Sequence, residues 1–416
     1  MKNQLLIVGA SQILTLQGPG RVRRGPEMRR LSILGPNAAV LIEGGLIAAA
    51  GAYRQIRRMA RRARVLELQG GVLMPGFVDA HTHPVFAGPR LRDFSLRTSG
   101  LGYRAVSRRT GGIWSTVGGV RRAEPGQLAE LLGQRARLFL EAGTTTIEAK
   151  SGYGLDLENE LKILEVIGRV GRRGPLEIIP TFLGAHAPPP GGHRQAYVRL
   201  LIEKMIPAVC GKKLARFIDV FCERGYFSVK ESEKILRAGL AAGLAPRLHA
   251  EQLSRLGGAR LAAKLGAASA DHLDHAAPGD MTALSRAGTA AVLAPASNYF
   301  LGARSWPPAR ALIDAGVPVC LASDFNPGSA PVWNMQFVMS VACTQMRMSP
   351  EEAVTAATVN GAYCLGEGRR LGSLEPGKQA DLAHMDVDDY REIPYYFGVN
   401  HCRMTIKRGN IVYIKR

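Results

Sequence analysis

The sequence predicts an α/β fold: a (β/α)8 (TIM) barrel with a small β-sandwich domain built from both chain termini. Three observations predict this fold. A chain of 416 residues is long enough for one large barrel and a smaller domain. Eight short apolar runs alternate with helical patterns in the middle of the chain, which is the strand count of such a barrel. Short strand patterns separated by glycine and proline turns lie at both ends.

The ends of the chain are predicted to pair with each other. Strand patterns occupy residues 5–8, 13–16, 39–42 and 65–68, and more short strands follow residue 371. The arginine-rich segment 21–30 between them is typical of an exposed loop. We therefore expect residues 1–74 and 371–416 to form one composite sandwich, and residues 75–370 to form the barrel.

The barrel strands follow one another from an apolar run that ends in Asp79, His81 and His83. The later strand patterns cover residues 144–150, 176–182, 217–221, 247–249, 267–272, 290–293 and 317–321. Helical patterns cover residues 128–141, 157–170, 232–242, 258–265, 308–315, 333–347 and 350–365. This alternation predicts parallel strands joined by helices.

Polar residues follow the predicted strands at the end where barrels carry their active sites. The chain has nine histidines, and five of them lie at strand ends: His81, His83, His186, His249 and His272. Glu223 ends the fourth strand and Asp324 the eighth. His81 and His83 are two residues apart, so they share one face of an extended strand. Neutral imidazoles and a carboxylate that converge in this way predict a metal site.

The other histidines are predicted to lie outside this site. His193, His384 and His401 fall in loops or in the terminal domain, and His275 lies just beyond the sixth strand, beside the site or on the surface. The six cysteines are scattered without a C-x-x-C pair, which predicts neither a disulfide framework nor a thiolate zinc site. A reducing cytoplasm fits this pattern best.

The net charge of +20 allows two interpretations. Arginine clusters such as residues 57–64 fit a surface for nucleic acid or acidic membranes, or simply a solvated basic face. The clusters lack interleaved aromatic residues and any nucleic-acid motif, and no apolar run is long enough to cross a bilayer. We therefore expect neither a nucleic-acid nor a membrane partner. A positive field also attracts a carboxylate substrate.

Several motifs resemble the amidohydrolase superfamily and, within it, the imidazolonepropionase family, which opens the imidazolone ring in histidine degradation. The resemblance covers the chain from about Leu66 onward. Its motifs are P-G-F-V-D-A-H-T-H (75–83), H-T-H-P-V-F-A-G-P-R (81–90), G-T-T-T-I-E-A-K-S-G-Y-G (143–154), T-F-L-G-A-H-A (181–187), H-A-E-Q-L (249–253), S-A-D-H-L (269–273) and D-F-N-P-G-S (324–329). Pro89 and the segment 383–385 depart from the usual family pattern.

The resemblance implies a metal site and a substrate. Its ligands for one Zn²⁺ or Fe ion per chain are His81, His83, His249 and Asp324. The implied substrate is 4-imidazolone-5-propanoate, and the implied product is N-formimidoyl-L-glutamate. The implied substrate contacts are Arg90, Tyr103, Tyr153, His186, Gln252, Asn326, Gly328 and Ser329. A homodimer is implied as well.

The residue types suit this chemistry. Asp324 is suited to take a proton from water and pass it to the leaving nitrogen, and His272 to orient the water or polarise the carbonyl. The planar fork of Arg90 suits a carboxylate. A site with one metal ion is expected, because Glu223 stands where binuclear relatives carry a modified lysine.

Two other functions remain open at this point. One is another amidohydrolase, such as an aminohydrolase of purines or pyrimidines; those enzymes commonly carry a glutamate where this chain has Gln252. The other is a nucleic-acid-binding protein with an inactive barrel.

Overall fold

The computed structural model describes residues 4–60, 62–191 and 193–415, apart from the side chains of Tyr103 and Arg104. Three sheets, of eight, six and four strands, organise this part of the chain. Seven strands precede the barrel: β1 (Gln4–Val8), β2 (Gln12–Leu14), β3 (Ile33–Leu34), β4 (Ala38–Glu43), β5 (Leu46–Ala52), β6 (Arg64–Glu67) and β7 (Val72–Pro75).

The eight-stranded sheet is parallel throughout, with its strands in chain order. Its strands are β8 (Phe77–Asp79), β9 (Thr144–Lys150), β10 (Glu177–Ala185), β11 (Phe217–Cys222), β12 (Ala245–Ala250), β13 (Ser269–His272), β14 (Ala290–Leu293) and β15 (Val319–Leu321). The last strand returns to the first: the backbone N–H of Asp324 donates to the carbonyl of His81 at 3.0 Å, and that of His83 donates to the carbonyl of Phe325 at 2.8 Å. The predicted barrel is confirmed, and its closure places Asp324 next to His81 and His83.

Helices surround the barrel and lie beside the sandwich. They are α1 (Tyr53–Met59), α2 (Leu91–Thr98), α3 (Tyr103–Thr110), α4 (Ile113–Arg122), α5 (Pro125–Glu141), α6 (Leu157–Arg173), α7 (Arg194–Leu200), α8 (Ile206–Gly211), α9 (Val229–Ala241), α10 (Gly258–Lys264), α11 (Pro278–Ala287), α12 (Pro295–Leu301), α13 (Ala309–Asp314), α14 (Met335–Met346), α15 (Pro350–Ala356), α16 (Val359–Cys364) and α17 (Glu392–Tyr395). A π-helical turn, Leu201–Met205, joins α7 to α8. Sequence reasoning did not predict α2, α3 and α4, which come between the first two barrel strands.

Local sequence explains why these elements form where they do. All seven residues of β9 are buried, and β-branched residues dominate it, as expected for a strand covered on both faces. Helix α6 begins where the Asp156 carboxylate accepts the backbone N–H of Asn159 at 2.8 Å. Helix α9 begins with a capping box formed by Ser228 and Glu231. Both helices pack apolar side chains onto the barrel core.

Both chain ends build the predicted sandwich. The C-terminal strands are β16 (Leu382–Met385), β17 (Cys402–Lys407) and β18 (Asn410–Ile414). They form a six-stranded sheet in the order β18-β17-β16-β7-β2-β3, which faces the four-stranded sheet β5-β4-β1-β6. Apolar side chains from both sheets form a separate core, including Leu5, Val40, Leu73, Leu382 and Ile406. The exact domain boundaries at residues 74 and 371 stay a prediction.

The apolar run before the H-x-H pair is divided between two sheets. Val72–Pro75 pairs with the terminal strand β16, whereas Phe77–Asp79 pairs with barrel strand β9. Gly76 is the point of division, and a Cβ atom there would collide with the side chain of Thr145. One short segment therefore fixes the sandwich against the first strand of the barrel.

The arginine-rich segment at residues 21–30 differs from its prediction as an exposed loop. Residues Gly25–Arg29 form a 3-10 turn, and the side chains of Arg23 and Met28 are buried. The Arg23 guanidinium donates to the backbone carbonyls of Leu16 and Arg30. A buried arginine is stable there because backbone oxygens satisfy its donors.

None of the helices in the described part of the chain combines the length and the apolar character that a membrane-spanning helix requires.

Candidate metal centre and active site

Two histidines and an aspartate meet where the first and last barrel strands adjoin. His81 and His83 follow β8, and Asp324 follows β15. The Nε2 atoms of His81 and His83 lie 3.2 Å apart. Each of these nitrogens lies 3.5 Å from Oδ1 of Asp324. All three side chains are buried, so their ligand atoms face one another and not bulk solvent.

Two more histidines complete the cluster from neighbouring strands. His249 is the penultimate residue of β12, and His272 is the last residue of β13. The ring centroid of His249 lies 4.5 Å from that of His81 and 5.2 Å from that of His272. Ligand atoms fall within 4.8 Å of one another in two sets: His81 with His83 and His249, and His81 with His272 and Asp324. The structure thus brings all five predicted residues together.

The backbone is strained at the same place. His272 has a φ of 75° and Asp324 a φ of 54°. Residues other than glycine rarely adopt these values, which cost about 1–3 kcal/mol each. Such strain persists where neighbouring contacts fix the chain, and it is common at functional sites.

Two aspartates that sequence reasoning missed orient the histidines from below. Oδ2 of Asp271 lies 2.6 Å from Nδ1 of His81, and Oδ2 of Asp219 lies 3.0 Å from Nδ1 of His249. An imidazole that donates Nδ1–H to a carboxylate presents the lone pair of Nε2 to a metal. The available signal was an acidic residue inside each of two strands that are buried throughout, β11 and β13.

The donor set fits a divalent metal ion. Burial lowers the pKa of His272 to about 3 and moves the pKa values of His81 and His83 well below their usual range. Burial also raises the pKa of Asp324 to about 7. Nε2 of His249 is buried without a hydrogen-bond partner among the described residues. Neutral imidazoles with a free Nε2, next to a carboxylate, are the ligands that zinc and iron bind.

A cavity opens directly above the cluster. Seven of the eight predicted substrate residues line it: Arg90, Tyr153, His186, Gln252, Asn326, Gly328 and Ser329. The eighth, Tyr103, begins α3, and its side chain lies outside the described part of the structure. Apolar residues that sequence reasoning missed also line the cavity: Ile113, Phe221, Leu253 and Leu301. Leu253 ends the H-A-E-Q-L motif, but no motif marks the other three, which are ordinary apolar residues at the ends of helices and strands.

Arg90 enters the cavity from the start of α2. Its guanidinium pairs with Asp93, and its Nε is buried without a hydrogen-bond partner among the described residues. A Cβ atom added to Gly328 would lie 2.5 Å from Nη1 of Arg90. A side chain at residue 328 would therefore displace the Arg90 guanidinium from this position.

His186 and Tyr153 form one wall of the cavity. Nδ1 of His186 lies 3.0 Å from the carbonyl oxygen of Gly152, and the His186 ring stacks on His83 with centroids 5.0 Å apart. The centroid of Tyr153 lies 5.4 Å from that of His186. The buried Glu160 accepts the backbone N–H groups of Gly152, at 3.0 Å, and of Gly154, at 2.8 Å, and so fixes the loop that carries Tyr153.

Asn326 organises the opposite wall. Its Oδ1 accepts the backbone N–H groups of Gly328 at 2.8 Å and of Ser329 at 2.7 Å. Its Nδ2 donates to the backbone carbonyl of Asp324 at 2.6 Å. Asn326 therefore links the shape of the 324–329 loop to the position of the candidate ligand.

Glu223 does not join the metal cluster. Its carboxylate accepts the backbone N–H groups of Leu253, at 2.9 Å, and of Ser254, at 3.1 Å, and also the Ser254 hydroxyl. These bonds position the loop that carries Gln252.

Two of the histidines that were predicted to lie outside the metal cluster do so. His275 is exposed, and Nε2 of His384 lies 2.9 Å from the carbonyl oxygen of Gly70 in the sandwich.

Comparison with known proteins decides the family. A family model described as amidohydrolase family matches residues 234–413. The chain is 46% identical to the imidazolonepropionase of Solibacter usitatus, over 98% of each chain. It is 45% identical to that of Geobacillus thermodenitrificans, over 98% of this chain and 97% of the relative. The chain belongs to the imidazolonepropionase family. As a member of the imidazolonepropionase family it is an amidohydrolase, and its histidine-rich cluster is a metal-binding site of the kind found in amidohydrolases.

Solved structures show the same amidohydrolase fold at much lower identity. Guanine deaminase from E. coli superposes with a TM-score of 0.72 at 16% identity, over 100% of both chains. A variant of atrazine chlorohydrolase from Arthrobacter aurescens, in complex with zinc and atraton, gives 0.76 at 17% identity, over 99% of this chain and 95% of that one. These likenesses concern the fold, whereas the likeness to imidazolonepropionases concerns the sequence of nearly the whole chain.

Proposed function

We propose that this protein hydrolyses 4-imidazolone-5-propanoate to N-formimidoyl-L-glutamate in histidine degradation. The observation that carries the proposal is that Arg90, Gln252 and the His–Asp cluster line one cavity in a chain closely related to imidazolonepropionases. In the reaction the ring C–N bond breaks. Water contributes its oxygen to the carbonyl carbon, which becomes a carboxylate, and a proton to the released nitrogen.

We assign one Zn²⁺ or Fe ion to His81, His83, His249 and Asp324. Three imidazoles and one carboxylate leave a position free for water, as in catalytic zinc sites. When bound, the ion would lower the pKa of a water molecule to about 7 and polarise the carbonyl group. Glu223 is engaged with backbone N–H groups, which supports a site with a single ion.

Asp324 is proposed to transfer the proton, and His272 to orient or polarise the reacting groups. The Asp324 carboxylate lies 3.5 Å from Nε2 of both His81 and His83, so with an ion bound it would contact both the ion and the attacking water and could accept a proton from that water. We assign Asp324 the transfer from water to the ring nitrogen. His272 is neutral, because burial lowers its pKa to about 3, so it acts as a hydrogen-bonding group that orients the water or the carbonyl.

The remaining cavity residues are proposed to position the substrate. Arg90 binds the propanoate carboxylate through its planar guanidinium, which can donate two parallel hydrogen bonds to the two carboxylate oxygens. Gln252 bonds to the alternating N and N–H edge of the ring. Further contacts are assigned to Tyr103, Tyr153, His186, Asn326, Gly328 and Ser329.

We further propose that the protein forms a homodimer, from its family resemblance. We also propose a cytoplasmic location, which fits its six free cysteines.

The alternative of a purine or pyrimidine aminohydrolase has less support. Such enzymes commonly use a glutamate at the position of Gln252, and a carboxamide has no proton to exchange near neutral pH. The likeness to guanine deaminases, at 16% identity, concerns the fold.

The direct experiment follows the loss of imidazolone absorbance in the presence of the purified protein. We expect turnover that a chelator abolishes and that added Zn²⁺ or Fe²⁺ restores. Guanine and adenosine serve as competing substrates in the same assay. Turnover of a purine without turnover of the imidazolone would replace this proposal by the aminohydrolase one, and full turnover after metal removal would contradict the assigned metal.

A further inference from the structure

Five charged side chains lie buried inside the barrel, directly beneath the candidate metal ligands. They are Glu148 and Lys150 on β9, Asp219 on β11, Arg247 on β12 and Asp271 on β13. None of these side chains has any exposed surface. Burying charges is costly unless they are paired, so a group of five calls for an explanation.

Lys150 occupies the centre of this group. Its Nζ lies 2.7 Å from Oδ2 of Asp219, 2.8 Å from Oε1 of Glu148 and 3.5 Å from Oδ2 of Asp271. Burial by itself disfavours a charged lysine, but the carboxylates of Asp219 and Glu148 outweigh it and raise the pKa of Lys150. Lys150 is therefore a fixed positive charge.

The two aspartates next to Lys150 are the ones that contact the metal ligands. Oδ2 of Asp219 is shared between Lys150 and Nδ1 of His249. Oδ2 of Asp271 is shared between Lys150 and Nδ1 of His81. One ammonium group thus reaches two imidazoles on different strands, each through a single carboxylate oxygen.

Arg247 supports the same arrangement from the other side. Its Nη2 lies 3.4 Å from Oδ2 of Asp271 and donates to the carbonyl of Ala80 at 2.8 Å, next to His81. Its Nε lies 3.1 Å from Oε1 of Glu148, the oxygen that also contacts Lys150. Lys150 and Arg247 are therefore linked to each other through Oε1 of Glu148.

We propose that Lys150 is a positioning residue for the metal site: it fixes Asp219 and Asp271, which in turn hold the rings of His249 and His81 so that both present Nε2 to one point. The inference rests on the metal site proposed above. By binding Oδ2 of Asp219 and Oδ2 of Asp271, Lys150 fixes the orientation of two rings at once.

The test compares two buried lysines that each contact carboxylates but lie in different parts of the fold. Lys407 in the sandwich also bridges two carboxylates, with Nζ 2.6 Å from Asp381 and 3.1 Å from Glu177, and it is almost fully buried. Lys150→Met and Lys407→Met are purified, freed of metal and titrated with Zn²⁺ in competition with a chromogenic chelator. Loss of an outer-shell partner commonly lowers metal affinity 10–100-fold. We expect that loss in Lys150→Met and an unchanged affinity in Lys407→Met, although both changes lower stability.

A spectroscopic measurement separates positioning from general stability. The visible absorption of bound Co²⁺ reports ligand geometry, so it is expected to change in Lys150→Met and to match the unmodified protein in Lys407→Met. If Lys150→Met yields no folded protein, Lys150→Arg is measured instead. That variant keeps the charge but moves it, and we expect about a tenfold loss of Zn²⁺ affinity with an altered Co²⁺ spectrum.

The outcomes are distinguishable. If the unmodified protein binds no Zn²⁺, the proposed metal site itself is wrong. If it binds Zn²⁺ and the folded Lys150 variant shows the same affinity and Co²⁺ spectrum, the positioning role is overturned. Equal losses of affinity in the Lys150 and Lys407 variants would also overturn it, because the effect would then come from weakened folding.

Discussion

Nζ of Lys407, on terminal strand β17, lies 3.1 Å from Oε2 of Glu177 at the start of barrel strand β10. Arg370 reaches the same carboxylate, with Nη1 3.2 Å from Oε2. Gln379 and Arg408 contact Glu177 as well, so all four of these partners come from the last fifty residues of the chain. The chain end is thus bound to the base of the barrel, at the end opposite the metal ligands, by a partly buried ionic contact.

This contact predicts a dependence of stability on pH. Burial opposes ionisation of Glu177, but the Arg370 hydrogen bond and the Lys407 charge outweigh it and lower the pKa from 4.5 to about 2. A lowered folded-state pKa gives stability that is complete above the unfolded value and is lost as the pH falls through the folded value. Glu177→Gln should therefore lower the free energy of unfolding by about 1–3 kcal/mol at neutral pH. Its difference from the unmodified protein should shrink below about pH 4.5.

Urea unfolding at several pH values measures this difference. Asp386→Asn is the control, because its pair with Arg403 is 3.3 Å long and about half exposed on both sides. Exposed pairs contribute about 0–1 kcal/mol. A difference between Glu177→Gln and the unmodified protein that stays constant down to about pH 2 would show that Glu177 acts through packing and not through its charge.

Arg90 is predicted to select substrates that carry a carboxylate. Loss of a charge-assisted hydrogen bond costs about 1.5–3 kcal/mol, which is about 10–150-fold in kcat/KM. Arg90→Ala should show this loss with imidazolone propanoate and a much smaller one with an analogue that lacks the acid. Arg92→Ala is the matched control, since Arg92 lines a neighbouring surface cavity and not the one above the metal cluster. Equal losses on both substrates would remove Arg90 from carboxylate recognition.

The metal content is predicted to be one ion per chain. Asp324→Ala should lose most of the metal and nearly all activity, because Oδ1 of Asp324 is 3.5 Å from both His81 Nε2 and His83 Nε2. Glu223→Ala should keep one ion and raise KM, because it frees the loop of Gln252 without touching the cluster. Elemental analysis of both variants checks this. Two ions in the unmodified protein, or loss of metal from Glu223→Ala, would contradict it.

The strand-end residues could be predicted because their signal is local. His81 and His83 share a strand face by their spacing alone, and the loop 324–329 is a continuous motif. The barrel then places these segments at one end by topology. The three helices α2, α3 and α4 were missed because each is only eight to ten residues long and glycine-containing breaks, at residues 99–102 and 111–112, separate them.

Buried charges could not be predicted in the same way. Lys150 contacts Asp219 across 69 residues of sequence, and no local pattern shows which distant charges will meet. Arg23 was expected to be exposed, but its guanidinium donates to the carbonyls of Leu16 and Arg30, seven residues away on either side. No sequence pattern shows that this irregular loop folds back around its own arginine. Similarly, the motif includes Gly328, but only the structure shows that Arg90 occupies the space of its missing side chain.

Gln252 and His272 are predicted to act on different kinetic constants. Both line the cavity, but a carboxamide can only donate and accept hydrogen bonds, so Gln252 is assigned to hold the ring. Removing such a bond costs about 0.5–1.5 kcal/mol, or about 3 kcal/mol if a buried partner is left unpaired. Gln252→Ala should therefore raise KM with little change in kcat.

His272 lies 5.2 Å from His81 and His249, ring centroid to ring centroid, where it faces the reacting groups. His272→Ala should lower kcat by roughly 10²–10³-fold with a smaller effect on KM. Steady-state kinetics of both variants, with metal content measured in parallel, separates these effects. If Gln252→Ala reduced kcat as deeply as His272→Ala at unchanged KM and full metal content, Gln252 would take part in proton transfer and the two roles would have to be reassigned.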